Sequence, residues 1–239
     1  HIWFCDDIFG LKRSWVKDFA EQVAAAGVKT RFKIQSRADL LVQENYVADL
    51  AAAGCEEVWM GAESGSQQIL DAMDKGTTVE EIRQARQLLK QYGIRAAFFI
   101  QYGYLHETTG DINKTIRLIL ETLPDDIGIS VSYPLPGTKF YEKVQQDMVK
   151  KKNWTDSDDL DMMYANTFDS PFYKKLHRYT HYLYRAEKLK QERGISPARL
   201  LKTLQYTFLK RRLKQELKLY QRKAAPGKAQ HMSTLNELI

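Results

Sequence analysis

Short apolar runs alternate with amphipathic helical stretches through the first 150 residues, and this alternation constrains the chain more than any other feature. Ile2 to Cys5 reads as a strand ending at Asp6-Asp7, and Leu11 to Ala26 as an amphipathic helix closed by Gly27. Arg31 to Gln35 is the next strand, running into Ser36-Arg37-Ala38-Asp39, and a helix follows from about Gln43 to Ala53, stopped by Gly54. Val58 to Met60 predicts a buried strand that enters a Gly-rich turn carrying Glu63 and Ser64, with a helix over Gln67 to Met73. Thr78 and Glu81 make a capping box for a helix to Tyr92. Then come a strand (Ile94 to Gln101), a helix (Asp111 to Thr122), a strand (Ile127 to Ser132), a rigid Pro-rich loop to Thr138 and a helix from Lys139 to about Val149. Five such units imply a parallel sheet with right-handed crossovers. In β/α barrels, ligands bind in the loops after the strands' C-terminal ends. Polar residues gather at those positions here: Asp6, Asp7, Arg37, Glu63, Ser64, Gln101 and Ser132.

The character shifts after residue 150. An acidic linker, Asp156 to Asp161, precedes two basic helices, about Pro171 to Glu192 and Pro197 to Arg222. Pro171 to Lys223 holds 16 Lys/Arg and three Glu, a net of +13, whereas residues 1–170 carry a net of −7. The basic balance therefore belongs to the tail and not to the polar strand ends. Phe172, Leu176, Tyr179 and Leu183 on the first helix, and Leu200, Leu204, Phe208, Leu213 and Leu217 on the second, read as packing faces. The expected organisation is a barrel part over 1–150, a helical extension over 151–223 and a disordered tail over 224–239.

Several residues admit two readings. Gly61 and Gly65 allow a tight turn or a close approach to a ligand. Glu63 can accept from an ammonium or a hydroxyl, and Ser64 is either a ligand contact or, like Ser66, a helix cap. Adjacent strand residues point to opposite faces, so Asp6 and Asp7 are no paired dyad and are expected to cap the following helix. His106 reads as a solvent-facing loop residue. His177 and His181 have i, i+4 spacing but no evident third metal ligand. Cys5 and Cys55 form neither a CxxC nor a disulfide framework; they read as small core residues in a reducing cytoplasm. No apolar run is long enough to span a bilayer. No signal peptide is recognisable, since the chain opens on His1-Ile2-Trp3 already inside a strand.

Asp6-Asp7-x-Phe9, Ser36-Arg37-Ala38-Asp39, Ala53-Gly54-Cys55, Gly61-x-Glu63-Ser64-Gly65-Ser66, Ile69-Leu70-x-x-Met73-x-Lys75-Gly76 and Pro134-x-Pro136-Gly137-Thr138 occur together in this order. The combination resembles the catalytic barrel of radical S-adenosylmethionine (SAM) enzymes, and most of all their cobalamin-binding branch, which includes the anaerobic magnesium-protoporphyrin ester cyclase. The resemblance implies an α/β fold: a partial (β/α)6 TIM-like barrel holding strands 2 to 6, followed by an α-helical extension. It implies SAM as cofactor, with Glu63 and Ser64 facing its methionine and ribose portions. Arg37 would pair with a SAM or substrate carboxylate, or else form a rim salt bridge with Asp39 or Glu63. Gln101 and Gly103 match the nucleoside contact, or Gln101 is a satisfied inward-facing polar group. Ser132 lies toward the adenine, or in a structural Pro loop. The branch's Gly-x-Pro-Gly-Glu turn here reads Gly103-Tyr104-Leu105-His106-Glu107.

Such enzymes also use a 4Fe-4S cluster on a CxxxCxxC loop and, in this branch, cobalamin. Neither that loop nor the first barrel strand is in this sequence, so the expectation is the C-terminal part of a larger enzyme, inactive alone, whose cluster and cobalamin sites lie in a missing N-terminal part. The implied substrate is a small molecule, tetrapyrrole or lipid-like, and the reaction is SAM cleavage to a 5′-deoxyadenosyl radical or methyl transfer through cobalamin. A tRNA methylthiotransferase-like protein is the alternative within the superfamily. A non-enzymatic nucleic-acid or membrane-surface module built on the basic tail ranks last, because the tail lacks single-strand-binding Gly/aromatic signatures.

Overall fold

The computed structural model describes residues 1–148, 160–191 and 196–223. The tail expected to be disordered, 224–239, and most of the acidic linker lie outside them. Five strands form one sheet in the sequential order β1 (Ile2–Trp3), β2 (Phe32–Ser36), β3 (Cys55–Glu63), β4 (Arg95–Tyr102) and β5 (Asp126–Val131). The pairs β1/β2, β2/β3 and β3/β4 are parallel. The helices between them are α1 (Arg13–Ala25), α2 (Ala38–Leu41), α3 (Tyr46–Ala52), α4 (Gln67–Ala72), α5 (Val79–Gln91) and α6 (Thr109–Thr122). After β5 come α7 (Lys139–Val144), α8 (Ser170–Gln191) and α9 (Pro197–Lys223). No helix among the described residues is long and apolar enough to cross a membrane.

Most elements lie where the periodicity puts them. The helix expected over Gln43 to Ala53 is the shorter α3, which starts after Asn45 at φ 58, and a further short helix, α2, precedes it over Ala38–Leu41. Strand β1 is shorter than expected. Strand β3 is longer and ends on Glu63 itself, so Glu63 belongs to the strand end rather than to the turn. Asp6 and Asp7 are exposed and cap nothing: the N-cap of α1 is Lys12, without a side-chain hydrogen bond. Thr78 and Glu81 do form their capping box, and Thr108 with Asp111 forms a second at the start of α6.

The contacts divide the chain into two compact units. The first comprises His1–Glu63, Leu70–Ile100 and Pro124–Gly128. Its core is Phe32, Ile34, Leu41, Leu50, Val58, Met60, Ile82, Leu89 and Phe98, all fully buried. In α5, Ile82, Ala85, Arg86 and Leu89 recur at helical spacing and make the buried face. The Asp125 carboxylate accepts from the Ala96 amide at 2.9 Å and pairs with the buried Arg86 guanidinium, tying the start of β4 to the chain before β5.

The second unit comprises Ser64–Ile69, Gln101–Leu123 and Ile129–Ile239. Here α8 buries Phe172, Tyr173, Leu176, Tyr179 and Leu183, as its periodicity predicts. On α9 the expectation fails in part. Leu213 and Leu217 are buried, but Leu200, Leu204 and Phe208 are exposed, Phe208 to 66%. Only the C-terminal half of α9 buries its apolar stripe, where Lys175 of α8 pairs with Glu216.

Candidate functional site

In the first unit, Glu63 stands at the C-terminal end of β3 with φ 55, a left-handed conformation that costs a non-glycine residue on the order of 1 kcal/mol. The β3/β4 register shifts between Gly61 and Glu63, and this bulge turns the strand end. Glu63 Oε1 accepts from Lys75 Nζ at 2.7 Å, and its side chain is 14% exposed. Its Oε2 has no partner among the described residues. The Lys75 carbonyl accepts from Arg37 Nη2 at 2.9 Å, while Arg37 also grips Asp39 with Nε at 2.9 Å and Nη2 at 3.2 Å. Arg37 therefore forms the rim pair with Asp39, and reaches Lys75 only through the backbone. Lys75 belongs to a recognisable motif, but nothing in the sequence marks it as the partner of Glu63, twelve residues away.

In the second unit, Ser64 is fully buried. Its Oγ accepts from the Ser66 amide at 3.1 Å and lies 3.1 Å from Thr115 Oγ. The Gly65 amide donates to Thr115 Oγ at 2.9 Å, and Ser66 Oγ donates to Asp111 Oδ1 at 2.6 Å. Burial pushes the Asp111 carboxyl up, but the hydrogen bonds from Ser66 and Thr108, with the Lys114 charge, outweigh it and hold its pKa below the ordinary aspartate value. Asp111 and Thr115 escape sequence reasoning because their partners lie some 45 to 51 positions away in the chain. The only local sign is the Thr108/Asp111 box.

Ser132 Oγ donates to Gln101 Oε1 at 3.1 Å, and the Ser132 amide donates to the Tyr102 carbonyl at 2.8 Å. The Gln101 amide nitrogen has no partner among the described residues, so it remains a donor. Gly103, at φ 79, spends both backbone groups internally. Its amide donates to Glu107 Oε2 at 2.7 Å, and its carbonyl accepts from Tyr164 Oη and from Asn166 Nδ2. Glu107 is fully buried, and burial raises its pKa to about 8, offset in part by the Gly103 amide and increased by Asp111. His106 is exposed at φ 62, adopting the turn conformation that glycine provides in the related motif.

The thiols do not fit an iron–sulfur cluster. Cys5 is exposed and Cys55 buried, and burial raises the Cys55 pKa to about 12, against the thiolate a cluster needs. Among the described residues no group of three or more His, Cys, Asp or Glu could hold a metal ion. The His177 and His181 rings meet edge to face, their centroids 4.5 Å apart, and burial with the Arg178 and Arg185 charges lowers the His177 pKa.

No protein-family profile matches the chain. It is 26% identical over 179 residues to an uncharacterised methyltransferase of Pyrococcus horikoshii, covering 74% of this chain and 39% of that one. It is 27% identical over 128 residues to the anaerobic magnesium-protoporphyrin IX monomethyl ester cyclase of Rubrivivax gelatinosus, covering 53% and 23%. It is 36% identical over 86 residues to the tRNA-2-methylthio-N(6)-dimethylallyladenosine synthase of a Sulfurihydrogenibium species, covering 35% and 20%. The chain thus spans 39% or less of these relatives' lengths. Among solved structures, the cobalamin-dependent SAM radical enzyme OxsB with aqua-cobalamin bound superposes with a TM-score of 0.58 at 18% identity, over 95% of this chain and 41% of that one. The chain has the fold of a partial TIM-like barrel with a helical C-terminal extension, as in the radical SAM enzyme it superposes on, and its sequence is similar to cobalamin-type radical SAM enzymes.

Proposed function

We propose that this chain supplies the SAM-contacting part of a radical SAM enzyme that cleaves SAM reductively to a 5′-deoxyadenosyl radical or transfers a methyl group through cobalamin. The observation that carries the reading is Glu63. It ends a barrel strand in a strained left-handed conformation, with one carboxylate oxygen on Lys75 and the other unspent. Strain of this kind persists where the surroundings over-determine it, typically at ligand-binding positions. The free oxygen can accept from the SAM ammonium or a ribose hydroxyl. Taken by itself, the second unit offers the spare Gln101 amide nitrogen, which Ser132 orients, as a donor for a nucleoside. Arg37, its Nε and Nη2 already engaged, offers its remaining N–H groups to a carboxylate. Within the second unit, Ser64 and Gly103 hold their own loops through internal hydrogen bonds.

A 4Fe-4S cluster supplies the electron for SAM cleavage when bound. Because Cys5 and Cys55 do not suit one, its thiolates belong to residues outside this stretch, as does any cobalamin site. The magnesium-protoporphyrin cyclase relative supports a small-molecule substrate of tetrapyrrole-like chemistry. The two free thiols suit the cytoplasm.

Calorimetric titration of SAM and S-adenosylhomocysteine into the chain tests the reading. Saturable binding that falls at least tenfold in Glu63→Gln, with unchanged circular dichroism, supports it; no binding by the wild type refutes it. A second reading, a tRNA methylthiotransferase-like protein, draws on the 36% identity over 86 residues. That branch favours Gln where this chain has Glu63 and ends in a basic β domain, whereas α8 and α9 are helices. Salt-dependent retention of tRNA at near-physiological ionic strength would favour it.

A further inference from the structure

We propose that Asp111 and Thr115, on α6, are positioning residues that hold the Ser64-Gly65-Ser66 loop and fix the direction of its hydroxyl protons. The proton count makes the assignment. Thr115 has one hydroxyl proton, and it goes to the Asp111 carbonyl at 3.1 Å. Thr115 Oγ then has only lone pairs left, and it accepts from the Gly65 amide at 2.9 Å. The 3.1 Å contact with Ser64 must therefore be a donation by Ser64. Ser64 Oγ in turn accepts from the Ser66 amide, and Ser66 gives its own proton to Asp111 Oδ1. Asp111 Oδ2 is occupied by the Thr108 amide and hydroxyl at 3.0 and 2.6 Å.

Every proton in the ring is committed, and all four side chains are buried, Ser64, Ser66 and Thr115 completely. Satisfied buried networks of this kind specify one conformation, and a missing member leaves the rest orphaned. A second observation agrees. A Cβ on Gly65 would lie 2.3 Å from the Lys114 carbonyl oxygen and 2.7 Å from Thr115 Cα, so the loop backbone rests directly on the α6 backbone. Ser64 is thus a strut that donates to Thr115, not a donor to a ligand. Its neighbour in the chain, Glu63, is the contact group.

The part of this inference that concerns SAM rests on the reading above. Amide hydrogen exchange at Gly65 and Ser66, read by NMR in wild type, Thr115→Val, Thr115→Ser and Ser64→Ala, tests the loop independently of any ligand. Thr115→Val should speed exchange at Gly65 about tenfold, Thr115→Ser should restore protection, and Ser64→Ala should speed exchange at Ser66. Unchanged Gly65 exchange in a folded Thr115→Val overturns the inference. Should that variant not fold, unchanged Ser66 exchange in Ser64→Ala overturns it equally. SAM titration of the same variants separates the two claims. If wild type binds SAM and Thr115→Val binds equally well despite a loosened loop, the positioning role fails while the SAM reading stands. If Ser64→Ala loses affinity with exchange unchanged, Ser64 is a direct ligand and the strut assignment is wrong. If wild type does not bind SAM, the proposed function fails, and exchange alone decides the loop-holding role.

Discussion

Lys75 Nζ and Glu63 Oε1 are 2.7 Å apart, and the missing Cβ of Gly61 leaves the space they occupy. A Cβ at Gly61 would meet Glu63 Oε1 at 2.8 Å and Lys75 Nζ at 3.1 Å. Both atoms are tips of flexible side chains, so the clash can be relieved by moving the pair rather than the fold.

Gly61→Ala should therefore leave stability within about 1 kcal/mol while displacing the Glu63 carboxylate, because a partly exposed ion pair contributes little. Gly65→Ala meets the α6 backbone instead and should cost several times more, in the range of about 1–3 kcal/mol for overpacking or above it. Urea denaturation of both variants gives the contrast, and SAM titration of Gly61→Ala reads the displacement.

Glu107 should give the protein a pH-dependent stability. Its pKa rises from 4.5 to about 8 on folding, so between those values the folded state binds the proton that the unfolded state has released. Stability then falls as pH rises from about 4.5 to about 8, by on the order of a few kcal/mol. Glu107→Gln keeps an acceptor for the Gly103 amide and cannot ionise. It should flatten that dependence and be the more stable protein at pH 8. Denaturation of both proteins at pH 5 and pH 8 checks the sign.

The two halves of α9 should respond differently to truncation. Leu217 is fully buried, and Leu217→Ala should cost about 2–5 kcal/mol. Phe208 is 66% exposed, and Phe208→Ala should stay within about 0.5 kcal/mol. Equal costs would mean that the outward stripe is covered in solution.

His106 carries a left-handed backbone in an exposed turn. His106→Gly removes the steric cost and should stabilise by about 0.5–1 kcal/mol, less the entropy that glycine adds to the unfolded chain. A gain in melting temperature of a few degrees is the expected result.

Cys5 should react with a thiol reagent in the native protein, and Cys55 only after unfolding, because Cys55 is buried with its pKa raised to about 12. One fast and one denaturant-dependent equivalent is the expected count.

The order of strands and helices, and the class of sheet they form, were legible in the chain because apolar periodicity and capping signals act over a few residues. Thr78 with Glu81, the 3.6-residue stripe of α8 and the glycine stops at Gly27, Gly54 and Gly93 are all local devices. The polar strand ends were legible for the same reason, and so was the SAM-enzyme resemblance, a string of short motifs with fixed internal spacing. What each polar group touches was decided by the fold. Arg37 could have reached Asp39, Glu63 or a ligand, and only the tertiary structure gives it Asp39 and the Lys75 carbonyl. Ser64 could have been a cap or a contact until the fold set its hydroxyl 3.1 Å from that of Thr115, 51 residues on. The stripe on α9 looks continuous in the sequence, yet half of it is exposed, because amphipathic spacing defines a face without saying what will cover it. Hydrogen-bond partners and burial are properties of chain segments brought together from far apart, and periodicity carries no information about which segments those will be.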